Sequence, residues 1–208
     1  MTIRLVIFDM DDVLCRYDLG ARLRALSRLS GQTPRDIRAA IWDSGFEDLA
    51  DSGGIPSGDE YLAQFGDRLG YPLTRDQWAE ARRNAMIAWP DMLAAARAIG
   101  AKYDIALYTN NGPMTRECLP MLFPEAHDLF GKRAFFSHQF GTKKPDPLAY
   151  TRLLEHLGRA ACETLFIDDK LSNVEGARIA GLTGLHFTSQ ELFLVEAETL
   201  GILEKKRG

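Results

Sequence analysis

Leu5-Val6-Ile7-Phe8-Asp9-Met10-Asp11-Asp12-Val13-Leu14 decides how the rest of the chain is read. Leu5 to Phe8 has no polar face and reads as a strand of a parallel sheet covered on both sides. The strand runs straight into three carboxylates within four residues. Like charges at the end of a buried strand repel one another. A cation between them relieves that repulsion, and hard oxygen ligands of this kind suit Mg²⁺. In open α/β sheets, ligands bind beyond the carboxyl ends of the strands, where these acids fall. Taken alone, the stretch is also compatible with an acidic strand-to-loop turn, so the remaining chain must discriminate.

Outward from this stretch, residues 16–86 carry helical patterning and no strand. Leu19, Leu23 and Leu26 share one face, with Arg22, Arg24 and Arg28 off it. Thr33-Pro34 opens a second helix, broken at Asp51–Pro56. Ser57–Glu60 and Thr74–Gln77 have the form of capping boxes that start two more. About four helices are therefore expected. The ten arginines and eleven acids from Arg16 to Arg83 nearly balance and read mostly as solvated helix faces.

Beyond Pro90 the pattern alternates. Strands are expected at Asp104–Tyr108, Ala134–Ser137, Thr164–Ile167 and Gly184–Phe187, with helices between them. Such alternation means a parallel sheet with right-handed crossovers. The expected fold is α/β: a Rossmann-like parallel sheet core (residues 1–15 and 87–208) with an inserted all-helical cap (16–86). Both ends of the insertion return near the acidic motif, so the cap sits over it.

Three further strand ends or loops carry candidate chemistry. Thr109-Asn110 offers a hydroxyl and backbone N–H groups at a helix start, a plausible anion site. Lys144 precedes Pro145-Asp146-Pro147 and can neutralise a phosphate oxygen as a compact charge. Asp168-Asp169 is a second acidic pair after an apolar strand. Carboxylates for Mg²⁺, a nucleophile, a hydroxyl and a lysine are the parts phosphoryl transfer needs. An aspartate can serve as the nucleophile through an aspartyl-phosphate, and Asp11 can act as acid and base.

Four motifs resemble the haloacid dehalogenase superfamily, in the subfamily whose helical cap follows strand 1. They are Phe8–Leu14, Thr109-Asn110, Lys144–Pro147 with Tyr150, and Phe166–Asp169 followed by Asn173–Ala177 and Ala180-Gly181. The resemblance implies Asp9 as nucleophile and Mg²⁺ ligand, and Asp11 as general acid/base with its carbonyl also on the metal. It implies Thr109, Asn110 and Lys144 on the phosphoryl group, Asp168 as a metal ligand and Asp169 as a further one. Asp12 departs from the glycine often found there, and Asn173 stands where relatives often carry another acid. The true dehalogenases lack the second acid of the first motif, so Asp11 implies phosphate chemistry.

The expected activity is Mg²⁺-dependent hydrolysis of a small phosphate monoester, including a sugar phosphate, through an aspartyl-phosphate. A phosphomutase and a non-catalytic phospho-regulatory module are the alternatives. The second is disfavoured because phospho-receivers have no helical insertion and carry an acid where this chain has Thr109. Arg16, Tyr17 and the Asp51–Ile55 loop are the candidate cap contacts to substrate.

The 208 residues suffice for a core plus a smaller insertion. A net charge of −4 argues against nucleic acid and against a basic membrane patch. Three widely spaced cysteines suggest a reducing compartment and neither a disulfide framework nor a zinc site. Cys15 reads as a small, partly buried apolar residue. No leader is apparent and no apolar run approaches ~20 residues, so a cytoplasmic protein without a membrane span is expected, as a monomer or weak homodimer. The Lys205–Gly208 tail reads as a solvated end.

Overall fold

The structure is a computed structural model that describes residues 2–204; the Lys205–Gly208 tail lies outside the described residues. Its strands are β1 (Leu5–Phe8), β2 (Cys15–Tyr17), β3 (Met86–Ala88), β4 (Asp104–Thr109), β5 (Ala134–Phe136), β6 (Thr164–Asp168) and β7 (Thr183–His186). Five of them form one sheet in the order β5-β4-β1-β6-β7, with every neighbouring pair parallel. β1 lies at the centre, flanked by β4 and β6. The chain steps outward from β1 in one direction and then returns to its other side. That reversal opens a crevice at the carboxyl end of β1.

The helices are α1 (Leu19–Ser30), α2 (Pro34–Ile41), α3 (Phe46–Asp51), α4 (Gly58–Leu69), α5 (Arg75–Arg83), α6 (Pro90–Gly100), α7 (Pro113–Leu122), α8 (Pro124–Phe130), α9 (Pro147–Leu157), α10 (Leu171–Ile179) and α11 (Gln190–Thr199). Successive strand side chains point to opposite faces. Val6 and Phe8 therefore pack with residues of α6, α8 and α11, whereas Leu5 and Ile7 pack with residues of α9 and α10. With both faces covered, β1 needs an apolar side chain at every position. No helix among the described residues is long and apolar enough to cross a membrane.

The helical block differs from expectation in three ways. First, it is bounded by a two-stranded antiparallel ribbon in which Cys15, Arg16 and Tyr17 face Ala88, Ile87 and Met86. Three-residue strands are too short to leave a periodic signal, but pairing them fastens the entry of the insertion to its exit. Second, the block has five helices. What reads as one helix from Pro34 is two, because Gly45 adopts a left-handed φ of 79° between α2 and α3. Third, Arg22 is not on a solvated face. It is 2% exposed, and its guanidinium lies 5.0–5.8 Å from the ring centroids of Trp42, Phe65 and Trp78. Stacking on aromatic faces lets an arginine sit inside an otherwise apolar cluster.

The capping expectations resolve differently. Thr74 and Gln77 form a reciprocal box, while Ser57 accepts from the Glu60 N–H.

Candidate active site

Asp9, Thr109 and Asp168 stand at or just beyond the carboxyl ends of β1, β4 and β6, three adjacent strands. Lys144 reaches the same point from the loop before α9. Its ammonium is fully enclosed, 2.9 Å from Asp9 Oδ1, and donates to Asp168 Oδ2 at 2.7 Å and to the Tyr108 carbonyl at 3.0 Å. The Asn110 side chain holds the lysine in place. Its amide donates to the Lys144 carbonyl at 2.8 Å and accepts from the Lys144 N–H at 2.9 Å.

Asp168 is equally constrained. Its carboxylate accepts from the Lys170 N–H and from Asn173 Nδ2, both at 2.9 Å. Asn173 is fixed in turn by the Tyr150 hydroxyl, which donates to its carbonyl at 2.6 Å. Gly176 lets α10 pass against the Lys144-Pro145 loop, since a Cβ there would lie 2.1 Å from the Pro145 carbonyl oxygen. Asp12 sits at φ 59°, a left-handed conformation that aspartate tolerates better than most residues, and its Oδ1 accepts from the Tyr17 N–H at 3.0 Å.

The electrostatics follow from burial. Desolvation pushes the Asp9 carboxyl up to about 8, and the neighbouring Asp168 and Asp11 add to this while Lys144 opposes it. Burial alone would depress Lys144, yet Asp168 and Asp9 hold it above its ordinary value. Asp169 is raised by burial and by Asp168.

One oxygen each from Asp9, Asp168 and Asp169 lies within 4.8 Å of the others. Asp9 Oδ1 is buried without a hydrogen-bond donor of good geometry. Three converging hard carboxylate oxygens fit a Mg²⁺ ion. The Asp11 carboxylate does not join this group. It turns instead to Arg82, whose Nη2 donates to Asp11 Oδ2 at 3.0 Å.

The helical block roofs the site. The half-open cleft between them has a volume of about 260 Å³, lined below by Asp9, Asp11, Asp12, Thr109, Asn110, Asn111, Lys144, Asp169, Lys170 and Asn173, and above by Tyr17, Arg22, Trp42, Glu47, Asp48, Asp51 and Arg82. Tyr17 lines this space. Arg16 does not: it is exposed and alternates away from the cavity along β2. Of the Asp51–Ile55 loop, only Asp51 lines the space, while Ile55 is buried in the cap's apolar cluster. Burial, with Glu47 close by, pushes the Asp51 carboxyl up to about 8. Cys15 is fully buried, with Sγ 3.8 Å from Asp11 Oδ1.

Sequence reasoning missed Arg22, Trp42, Glu47, Asp48, Arg82, Asn111 and Lys170. Arg82 and Arg22 shared one available signal. Each lies four residues from an apolar position on its own helix (Trp78 and Leu26), and so on the inward face.

A family profile described as haloacid dehalogenase-like hydrolase matches residues 3–181. Phosphatase MT3486 of Mycobacterium tuberculosis is 30% identical over 193 residues, covering 88% of this chain and 86% of that protein. The D-ribitol-5-phosphate phosphatase of Bacteroides thetaiotaomicron is 26% identical over 182 residues, covering 83% and 85%. A crystal structure of the HAD family enzyme bt-2542 from the same organism, solved with magnesium and inorganic phosphate, superposes with a TM-score of 0.73 at 19% identity, covering 89% of this chain and 94% of that one. Sheet order, site residues and relatives lead to one conclusion: the chain belongs to the haloacid dehalogenase-like hydrolases and is phosphatase-like.

Proposed function

We propose that the protein is a Mg²⁺-dependent phosphatase that hydrolyses a small phosphorylated polyol or sugar through an aspartyl-phosphate on Asp9. The observation that carries this reading is Lys144, a buried cation held between Asp9 and Asp168. It places positive charge beside the nucleophile, where a phosphoryl group must dock. Thr109 adds a hydroxyl. Asn111 Nδ2 donates to Thr109 Oγ1 at 2.8 Å, so the hydroxyl's own hydrogen is left for a phosphoryl oxygen.

In the first half-reaction an Asp9 oxygen bonds to phosphorus and the bond to the leaving oxygen breaks. The leaving oxygen keeps the electron pair and takes a proton from Asp11. In the second, Asp11 takes a proton from water. The water oxygen bonds to phosphorus, the Asp9 bond breaks, and inorganic phosphate leaves. Asp9, Asp168 and Asp169 would hold the Mg²⁺ ion, whose chemistry is to neutralise the charge of the transferring group.

The substrate class rests on the roof. A space of about 260 Å³ suits a small leaving group, and Glu47, Asp48 and Asp51 offer carboxyl oxygens to hydroxyls. The relative named for D-ribitol 5-phosphate supports the same class. The test is hydrolysis of an aryl phosphate and a panel of sugar and alditol phosphates, with Mg²⁺, with chelator and with Asp9→Asn. Metal-dependent turnover that vanishes in the variant is expected. Turnover indifferent to Asp9→Asn, or none on any ester, overturns the proposal.

A further inference from the structure

We propose that Arg82, carried by the cap helix α5, is a positioning residue for Asp11, and that cap docking assembles the acid/base through it. The inference rests on the phosphatase reading above. Arg82 is 4% exposed and its guanidinium lies 4.9 Å from the Tyr17 ring centroid. Its Nη2 nitrogen donates twice, at 3.0 Å each, to Asp11 Oδ2 and to Asn111 Oδ1. A terminal guanidinium nitrogen carries two hydrogens, so both are used. The two acceptors belong to different loops, one after β1 and one after β4. Asn111 Oδ1 also accepts from Thr115 Oγ1 at 3.3 Å, which fixes its amide, and that amide donates to Thr109. One nitrogen from the cap thus sets the Asp11 carboxyl group and the relay to the phosphate-facing hydroxyl.

A role in bare stability explains this arrangement poorly. Enclosing a guanidinium is costly, and one partly exposed carboxylate, one neutral amide and one ring face return only part of that cost. The side-chain exposures in the pair are 5% for Arg82 and 24% for Asp11. The carboxyl is therefore open to the cavity on one side and gripped on the other, as an acid/base needs. Proton transfer is sensitive to such placement, since the donor must sit within hydrogen-bond reach of the leaving oxygen. An alkyl leaving oxygen requires the Asp11 proton as its bond breaks, whereas 4-nitrophenolate departs without one.

The experiment compares kcat/KM for an alditol phosphate and for 4-nitrophenyl phosphate in the wild type, Arg82→Ala and Arg82→Lys. Folding is checked by circular dichroism. For Arg82→Ala, kcat/KM on the alkyl ester is expected to fall by about 10²-fold, and by less than about tenfold on the aryl ester. Added guanidinium restores alkyl turnover, and urea, neutral but of similar shape, does not. Arg82→Lys keeps the charge but cannot reproduce the planar fork. It shows the same leaving-group pattern with a smaller loss, and it decides the matter if the alanine variant does not fold. Equal losses on both esters, or no response to guanidinium, overturn the inference while a wild-type activity abolished by Asp9→Asn keeps the phosphatase reading intact. A wild type without Asp9-dependent turnover overturns both.

Discussion

Lys144→Met is the perturbation whose magnitude the structure constrains most tightly. Methionine matches the length of the lysine stem but carries no charge. The substitution leaves the Asp168 carboxylate, the Asp9 carboxylate and the Tyr108 carbonyl without the ammonium that now lies 2.7, 2.9 and 3.0 Å from them. Removing one partner of a buried ion pair costs about 3–5 kcal/mol, because the remaining charge is desolvated and uncompensated. For a chain of this size each kcal/mol lowers Tm by roughly 2–4 °C, so a drop of about 6–20 °C is expected. The cost depends on pH, and its sign follows from Asp9. Its carboxyl already stands at about 8 in the fold against 3.8 in the unfolded chain, and Lys144 is among the groups that lower it. Without the lysine it stands higher still. The folded variant then binds the proton more readily than the unfolded chain, and stability falls as pH rises from the unfolded value toward the folded one. The wild type shares this slope up to about 8, so the extra loss of the variant opens above that value, and urea melts at pH 7 and pH 9 should show a loss that is larger at pH 9. Adding Asp168→Asn removes one of the stranded charges and should recover part of the loss. A loss below about 1 kcal/mol at pH 9, or a double variant no better than the single, refutes the argument that this lysine holds the two acids together.

Two further substitutions probe the backbone that carries the site. Gly176→Ala puts a methyl group 2.1 Å from the Pro145 carbonyl oxygen, so α10 or the Lys144-Pro145 loop must shift; a loss of about 1–3 kcal/mol by urea denaturation is expected, with reduced turnover because the lysine moves with the loop. Asp12→Gly trades relief of the left-handed conformation against loss of the bond to the Tyr17 N–H and should leave stability within about 1 kcal/mol, whereas Asp12→Val, β-branched at φ 59°, should cost about 1–3 kcal/mol; thermal melts of the pair check both.

What could be read from the sequence was what repeats or what breaks a rule locally. β1 and β6 were legible because a strand buried on both faces must be apolar throughout, and because Asp9 and Asp168 interrupt that rule at the strand ends. Parallel order followed from the alternation of elements. The β2–β3 ribbon was illegible because it joins residues about seventy positions apart through two three-residue strands. The break between α2 and α3 rests on Gly45, one glycine among several. The buried arginines were misread for another reason. Their i, i+4 spacing to Leu26 and Trp78 placed them on the inward face, but what makes that burial tolerable, Trp42, Phe65 and Trp78 around Arg22 and Asp11 and Asn111 around Arg82, is brought together only by the fold. Arg16 failed in the opposite direction, since nearness to the motif in sequence says nothing about which way a strand residue faces.

The boundary between cap and core in sequence is not their boundary in packing. The apolar cluster of the helical block is built from Leu23, Ile37, Phe46, Phe65 and Trp78, but Met114, Cys118 and Leu122 complete it, and these belong to α7. α7 starts immediately after the end of β4 and the loop that carry Thr109, Asn110 and Asn111. Polar contacts follow the same seam: Glu117 of α7 accepts from the Gly58 N–H at 2.8 Å and pairs with Arg75 at 2.6 Å. On the far side, the Asp51 carbonyl accepts from Ser137 Oγ at 2.6 Å, and Lys143 pairs with Asp48. Gly112 lies close beneath Ala50, where a Cβ would stand 3.0 Å from the alanine methyl. The roof is thus fixed along α7 by apolar burial and along α3 by polar contacts at the cavity rim. Apolar contact is non-directional and strong per unit area, while rim hydrogen bonds exchange readily with water. Opening should therefore pivot on α7 and part at α3, the edge that carries Glu47, Asp48 and Asp51. Those groups stand at the edge where a leaving group would enter.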